Sequence, residues 1–200
     1  MTRGFLELEL TQSREFRTDF ACSINGIELE FPYLGRKTGV KIDTGAFGTL
    51  IPLRTLGWTP TQINNLIDYY LENDRSKFSV VHGVEALNKL SASNLISQSD
   101  DFIRNFSGLA IKVHADYIQV ADIVFEDVDI RVTTATSGNV LLGMDLLSRM
   151  DVHIGESKIL KNTLLLACPN NTMCDEYFLN LENHFQLGTT VNAAVSRRYH

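Results

Sequence analysis

The stretch VKIDTGAFGT, residues 40–49, decides how the chain is read. Val40 and Ile42 flank Lys41 as alternate residues of a strand do, and the strand then delivers a carboxylate, Asp43, into Thr44-Gly45. Taken alone, Asp-Thr-Gly is an ordinary exit from strand to turn, because Asp and Gly both suit turns. Its surroundings narrow the reading. Ala46 is small enough for a crowded site, and Thr49-Leu50-Ile51-Pro52 resumes an apolar path. Later in the chain NVLLGMDLL, residues 139–147, repeats the device: an apolar run, then Gly143, then Asp145. The triplet Asp-Thr-Gly itself occurs once.

Working outward, the first forty residues read as antiparallel strands. FLELEL (5–10) sets Leu6, Leu8 and Leu10 against Glu7 and Glu9, and GIELEF (26–31) repeats the alternation after an Asn25-Gly26 pair that favours a tight hairpin. The period then changes. Thr59, Pro60 and Gln62 form a capping-box arrangement with proline at the first helical position. Ile63, Leu66, Ile67, Tyr70 and Leu71 follow at helical spacing, so an amphipathic helix is expected over about 60–73. Residues 75–108 lack a clear period, and the Ser- and Asp-rich SASNLISQSDD (91–101) reads as a mobile loop. Alternation returns in AIKVHADYIQV (110–120) and VDIRV (128–132), with Glu126-Asp127 expected in the turn between them. A short helix is expected near 144–150, closing strands at VHI and LLLA, and a further helix near 173–184.

Composition limits the function. The chain has 200 residues, 44% hydrophobic and 21% charged, which is ordinary for a globular domain. A net charge of −6 and the lack of a basic cluster argue against nucleic acid or an anionic membrane as partner. No apolar run approaches membrane-spanning length, and MTRGFLELELTQSREF alternates too strictly for a signal-peptide core, so a cytoplasmic protein is expected. Cys22, Cys168 and Cys174 are expected as free thiols. His82, His114 and His153 show no ligand spacing, and no metal or other cofactor is expected. There is no Gly-x-Ser-x-Gly elbow and no phosphate loop.

Together the two apolar-then-Asp stretches resemble the retropepsin-like aspartic proteases, single-domain enzymes that include viral proteases and bacterial relatives. Asp43, Thr44, Gly45, Ala46, Thr49 and Gly143 fall on that family's pattern, over about residues 38–156 with a long unmatched middle. The resemblance implies a mainly β fold built on a closed acid-protease barrel over 1–167, with 168–200 as a C-terminal extension. It also implies an aspartic endopeptidase acting on a peptide or protein substrate. Two carboxylates a few ångströms apart share one proton, because like charges so close cannot both ionise. One then activates water while the other protonates the leaving amine. A chain with one Asp-Thr-Gly holds half of such a pair, so the resemblance implies a two-fold homodimer with Asp43 and Thr44 facing their mates.

Asp145 is expected to cap the short helix and support the loop; the lesser alternative is that it supplies a second carboxylate within the chain. Phe47 stands where the family commonly has Ser or Asp, and Met144 where viral enzymes have a basic residue. Phe47 therefore reads either as the wall of an apolar substrate subsite or as a mark of weakened activity. The family's closing hairpin has two candidate positions, VVHGVEA around Gly83 and the region of Gly108. The alternative function is a non-catalytic dimerisation or peptide-binding module on the same fold.

Overall fold

A computed structural model of the chain describes residues 6–10, 15–24, 37–54, 57–81, 92–134, 138–170 and 174–185. In order they form β1 (Leu6–Glu9), β2 (Phe16–Ile24), β3 (Lys37–Ile42), β4 (Leu50–Pro52), α1 (Pro60–Asn73) and β5 (Phe78–Val80). Next come α2 (Ala92–Ile96), α3 (Asp100–Asn105), β6 (Leu109–Val120), β7 (Ile123–Thr133) and β8 (Val140–Leu142). The last elements are α4 (Met144–Leu147), β9 (Met150–Glu156), β10 (Thr163–Pro169) and α5 (Asp175–His184). The expected strand at 26–31, the Asn25-Gly26 turn, His82, Gly83 and the tail from 186 lie outside the described residues.

The strands β2-β3-β8-β4-β7-β6 are hydrogen-bonded in that order, and β6 returns to β2, so the sheet closes into a barrel. The fold is mainly β, as the resemblance implies. Closure follows from two long strands. β6 pairs with β7 along almost its whole length, and its far edge takes β2 at one end and β5 at the other. The barrel is filled by alternate residues such as Phe20, Val40, Ile51, Ile111, Val113, Ile130 and Val132, each at most 1% exposed. β2 falls within the first forty residues expected as antiparallel strands: Phe16, Thr18 and Phe20 point inward while Arg17 and Asp19 point out.

One pairing positions the site. β3 and β8 run parallel, with Val40 opposite Val140 and Ile42 opposite Leu142. Parallel neighbours in register leave the barrel at the same end, so Asp43 and Gly143 emerge side by side.

α1 is the helix expected, bounds included. Thr59 Oγ1 accepts from Gln62 N–H, Gln62 Oε1 accepts from Thr59 N–H, and Ile63, Leu66, Ile67 and Leu71 are buried. Each such side chain contributes about 1.5–3 kcal/mol of burial.

Three expectations are corrected. The loop expected at 91–101 contains α2 and the start of α3. The residues taken as loop formers are helix formers in position: Ser99 caps α3 by accepting from Phe102 N–H, Asp100 and Asp101 favour the positive end of the helix, and Leu95 and Ile103 are wholly buried. Glu126-Asp127 is not a turn. The turn between β6 and β7 is Ala121-Asp122, and Asp127 sits inside β7 with φ of 56°. That left-handed residue shifts the alternation, so Ile123 and Phe125 are buried before it and Val128, Ile130 and Val132 after it. Gly108 does not head a hairpin: it is buried in the turn joining α3 to β6, where its carbonyl accepts from Val81 N–H.

A second sheet, β1-β10-β9, is antiparallel throughout. Leu8, Met150, Leu165 and Ala167 join the barrel core on one face. On the other, Leu164, Leu166 and Cys168 pack against Tyr177 and Leu181 of α5, and against Phe185. No helix among the described residues is long and apolar enough to cross a membrane.

Candidate active site

Asp43 follows directly from β3, and its N–H donates to Leu142 O of β8 at 3.0 Å, extending the parallel ladder by one bond. The chain then turns on its own carboxylate. Gly45 N–H donates to Asp43 Oδ1 at 3.0 Å, and Ala46 N–H to Asp43 O at 3.2 Å. A Cβ on Gly45 would lie 3.3 Å from that same Oδ1, so the glycine permits the close approach. Asp43 is half-buried, while Thr44 and Gly45 are exposed.

Beneath this turn lies a clasp joining two distant parts of the chain. Thr49, fully buried, donates its hydroxyl to Asp145 Oδ1 at 2.7 Å and its N–H to Asp145 Oδ2 at 2.8 Å. The same hydroxyl accepts from Gly143 N–H at 3.1 Å. Met144 N–H donates to Ala46 O at 2.8 Å, and Asp145 N–H to Phe47 O at 3.1 Å. A carboxylate offers only acceptors, and both oxygens of Asp145 are used on donors of the opposing loop. The backbones meet so closely that a Cβ on Gly143 would lie 2.5 Å from Gly48 C and 2.7 Å from Gly48 O. Gly143 is therefore required for space. Its φ of −93° is open to any residue.

The structure thus brings together Asp43, Gly45, Ala46, Thr49, Gly143 and Asp145. The capping role expected of Asp145 is corrected: Gly143 is the N-cap of α4, without a side-chain cap bond, and Asp145 lies in the first turn. Its Oδ1 does accept from Leu146 N–H at 2.9 Å, but its main partners are on the Asp43 loop. Phe47 is 90% exposed beside the turn, and Met144 is 39% exposed. The Gly48 backbone, against which Gly143 packs, was missed by the sequence reading, because the contact uses main-chain atoms that any residue there would supply.

No protein-family model matches the chain, and no curated protein matches it. Among solved structures, the crystal structure of a retropepsin-like aspartic protease from Rickettsia conorii is similar to it. The TM-score is 0.44 and the identity 16%, over 84% of this chain and 93% of that one.

Elsewhere the described residues hold other features. A cavity of about 360 Å³ is lined by Ile63 and Ile67 of α1 together with Arg54, Arg104 and Phe106, and none of its lining residues belongs to the Asp43 turn. The three cysteines are free, and burial pushes the Cys22 thiol up to about 12, which keeps it protonated and inert at neutral pH. His114 lies on the outer face of β6, its Nε2 3.1 Å from Asp127 and its Nδ1 3.4 Å from Asp129. Among the described residues no group of three or more His, Cys, Asp or Glu is placed to hold a metal ion.

Proposed function

We propose that the chain is one half of an aspartic endopeptidase, with Asp43 as its catalytic carboxylate and the second carboxylate supplied by Asp43 of another copy. The observation that carries this reading is the placement of Asp43. It is a half-buried carboxylate on a turn that its own Oδ1 helps to close, fixed above a charged clasp at the mouth of a closed barrel. So much hydrogen bonding beneath one exposed turn is what a reacting group needs, since positioning within fractions of an ångström governs rate. In the paired state the two carboxylates share one proton. The ionised one takes a proton from water as it attacks the peptide carbonyl, and the protonated one delivers its own to the departing nitrogen. Titration belongs to the pair, so activity is expected at mildly acidic pH. Thr44 is proposed to reach across to its mate and tie the two turns together. Phe47 is proposed to wall an apolar subsite for an extended peptide.

The same exposed Phe47 fits the second reading, a module that binds peptides without cleaving them. One experiment separates the two: cleavage of an extended-peptide library between about pH 4 and 7, the range in which a shared proton is retained. Asp43→Asn is expected to fold, to keep its oligomeric state and to lose all cleavage. Equal cleavage by the Asn variant removes Asp43 from catalysis, and no cleavage by the wild type favours the binding module.

A further inference from the structure

The cavity of about 360 Å³ beside α1 lies apart from the Asp43 turn, and the strand directions show how far apart. β4 runs antiparallel to β8, so it begins next to Thr49, at the Asp43 end of the barrel, and ends with Pro52 at the other. β7 runs parallel to β4 and finishes beside it. Arg54, just beyond β4, and Thr134, just beyond β7, both line the cavity, which puts it at the end of the barrel opposite Asp43. α1 and the last residues of α3 form its other walls.

Those walls are of two kinds. Ile63 and Ile67 of α1, with Phe106, give an apolar floor, each at most 7% exposed. Above the floor stand two arginines, and none of the residues lining the cavity is Asp or Glu, although the chain carries a net charge of −6. Arg104 is held in place by Asp68, which accepts from its Nε at 3.0 Å, and this fixes the guanidinium without using all of its donors. Arg104 also offsets the negative end of α3, being in its last turn. Arg54 is different: among the described residues it makes no hydrogen bond and no ion pair. α1 adds to the same sign, since Pro60, its first residue, lines the cavity and its first turn has no acidic residue to offset the positive helix end. The uncompensated charge at the cavity is therefore that of Arg54 and the start of α1.

We propose that this cavity is a binding site for a small organic anion with an apolar body, the chemistry of an aryl or alkyl carboxylate. The body covers the Ile63, Ile67 and Phe106 floor, and the carboxylate takes donors from Arg54 and Arg104. At about 30 Å³ for each water-sized group, the volume admits about a dozen non-hydrogen atoms. The proposal does not rest on the protease reading, because the occupant is not the substrate and the site shares no residue with the Asp43 turn.

The test is titration of the full chain, followed by protein-observed NMR, with 4-phenylbutyrate, which is of that size, and with 4-phenylbutan-1-ol, which keeps the apolar body and lacks the charge. The acid is expected to saturate with a Kd at or below about 1 mM, and the alcohol to bind at least about fivefold more weakly. Arg54→Gln, at an exposed position, is expected to weaken the acid at least about threefold and to leave the alcohol unchanged. Asn64→Trp, on the exposed side of α1 where Asn64 lines the cavity, fills the space and is expected to weaken both ligands at least about tenfold, with circular dichroism showing that each variant folds. An acid that shows no saturable binding below about 10 mM overturns the site. Equal affinity for acid and alcohol overturns the role of charge, and undiminished binding by both variants overturns the location. Peptide cleavage enters none of these readouts, so this inference and the protease reading fail separately.

Discussion

Replacing Thr49 by valine is the sharpest probe of the clasp under Asp43, because the two side chains have the same shape and differ by one hydroxyl. Thr49 is fully buried, so that hydroxyl has no water to fall back on. Its loss removes a 2.7 Å bond to the Asp145 carboxylate, and a bond to a charged acceptor is worth about 1.5–3 kcal/mol. It also leaves the Gly143 N–H without its 3.1 Å acceptor, and an orphaned buried donor costs about 1–3 kcal/mol. The two losses pass through one atom and do not simply add, so the expected total is about 2–4 kcal/mol. For a chain of this length each kcal/mol moves Tm by about 2–4 °C, which gives a fall of about 4–16 °C. Thr49→Ser is the control. It keeps the hydroxyl and deletes one buried methyl, at about 1 kcal/mol. Urea unfolding at one fixed protein concentration measures both, since any self-association makes stability concentration-dependent. A valine variant within about 0.5 kcal/mol of wild type, or no worse than serine, refutes the idea that this hydroxyl holds the two loops together.

Two further outcomes are expected. Gly143→Ala drives a methyl into the Gly48 backbone and is expected to cost about 2–3 kcal/mol, whereas Gly48→Ala, whose new Cβ meets nothing nearer than 3.9 Å, is expected to stay within about 0.5 kcal/mol; equal denaturation midpoints for the two would show the seam to be looser than described. The hydrogen bond from Lys112, then that from His114, holds the Asp129 carboxyl below its ordinary value. A depressed carboxylate contributes stability that is present above the ordinary carboxylate range and lost as pH falls through the folded value. Asp129→Asn is therefore expected to lower the midpoint slightly at neutral pH, the pair being exposed, and to converge with wild type in acid, which flattens the acid limb by that same small amount. An acid limb as steep as that of wild type would contradict it.

How much of this was legible depended on whether the deciding contact was local. α1 was read to its ends because its cap, its proline and its apolar stripe all lie within one segment. Asp43, Thr49 and Gly143 were found through a pattern of residue types, yet what joins them, the parallel register of β3 with β8, appears in neither stretch alone. Asp145 was read only in part for that reason: it does support the loop, but an Asp near a helix start also reads as a cap, and its main partner, Thr49, is 96 residues away. Ser99 failed in the opposite direction, since serine and aspartate next to short apolar pairs read as loop until Leu95 and Ile103 are seen buried. Asp127 could not be read at all, because one left-handed residue inside a strand has no signature in a run of alternating types.

The seam between Gly48 and Gly143 also sets the order of events during synthesis. Everything that steadies the Asp43 turn from below, the Asp145 carboxylate included, is made long after the turn itself. A nascent chain that has not yet exposed residue 145 carries Asp43 on an unsupported loop, and closing so wide a loop is among the slower steps of folding. The Asp43 turn thus gains its support only when the barrel around it is complete.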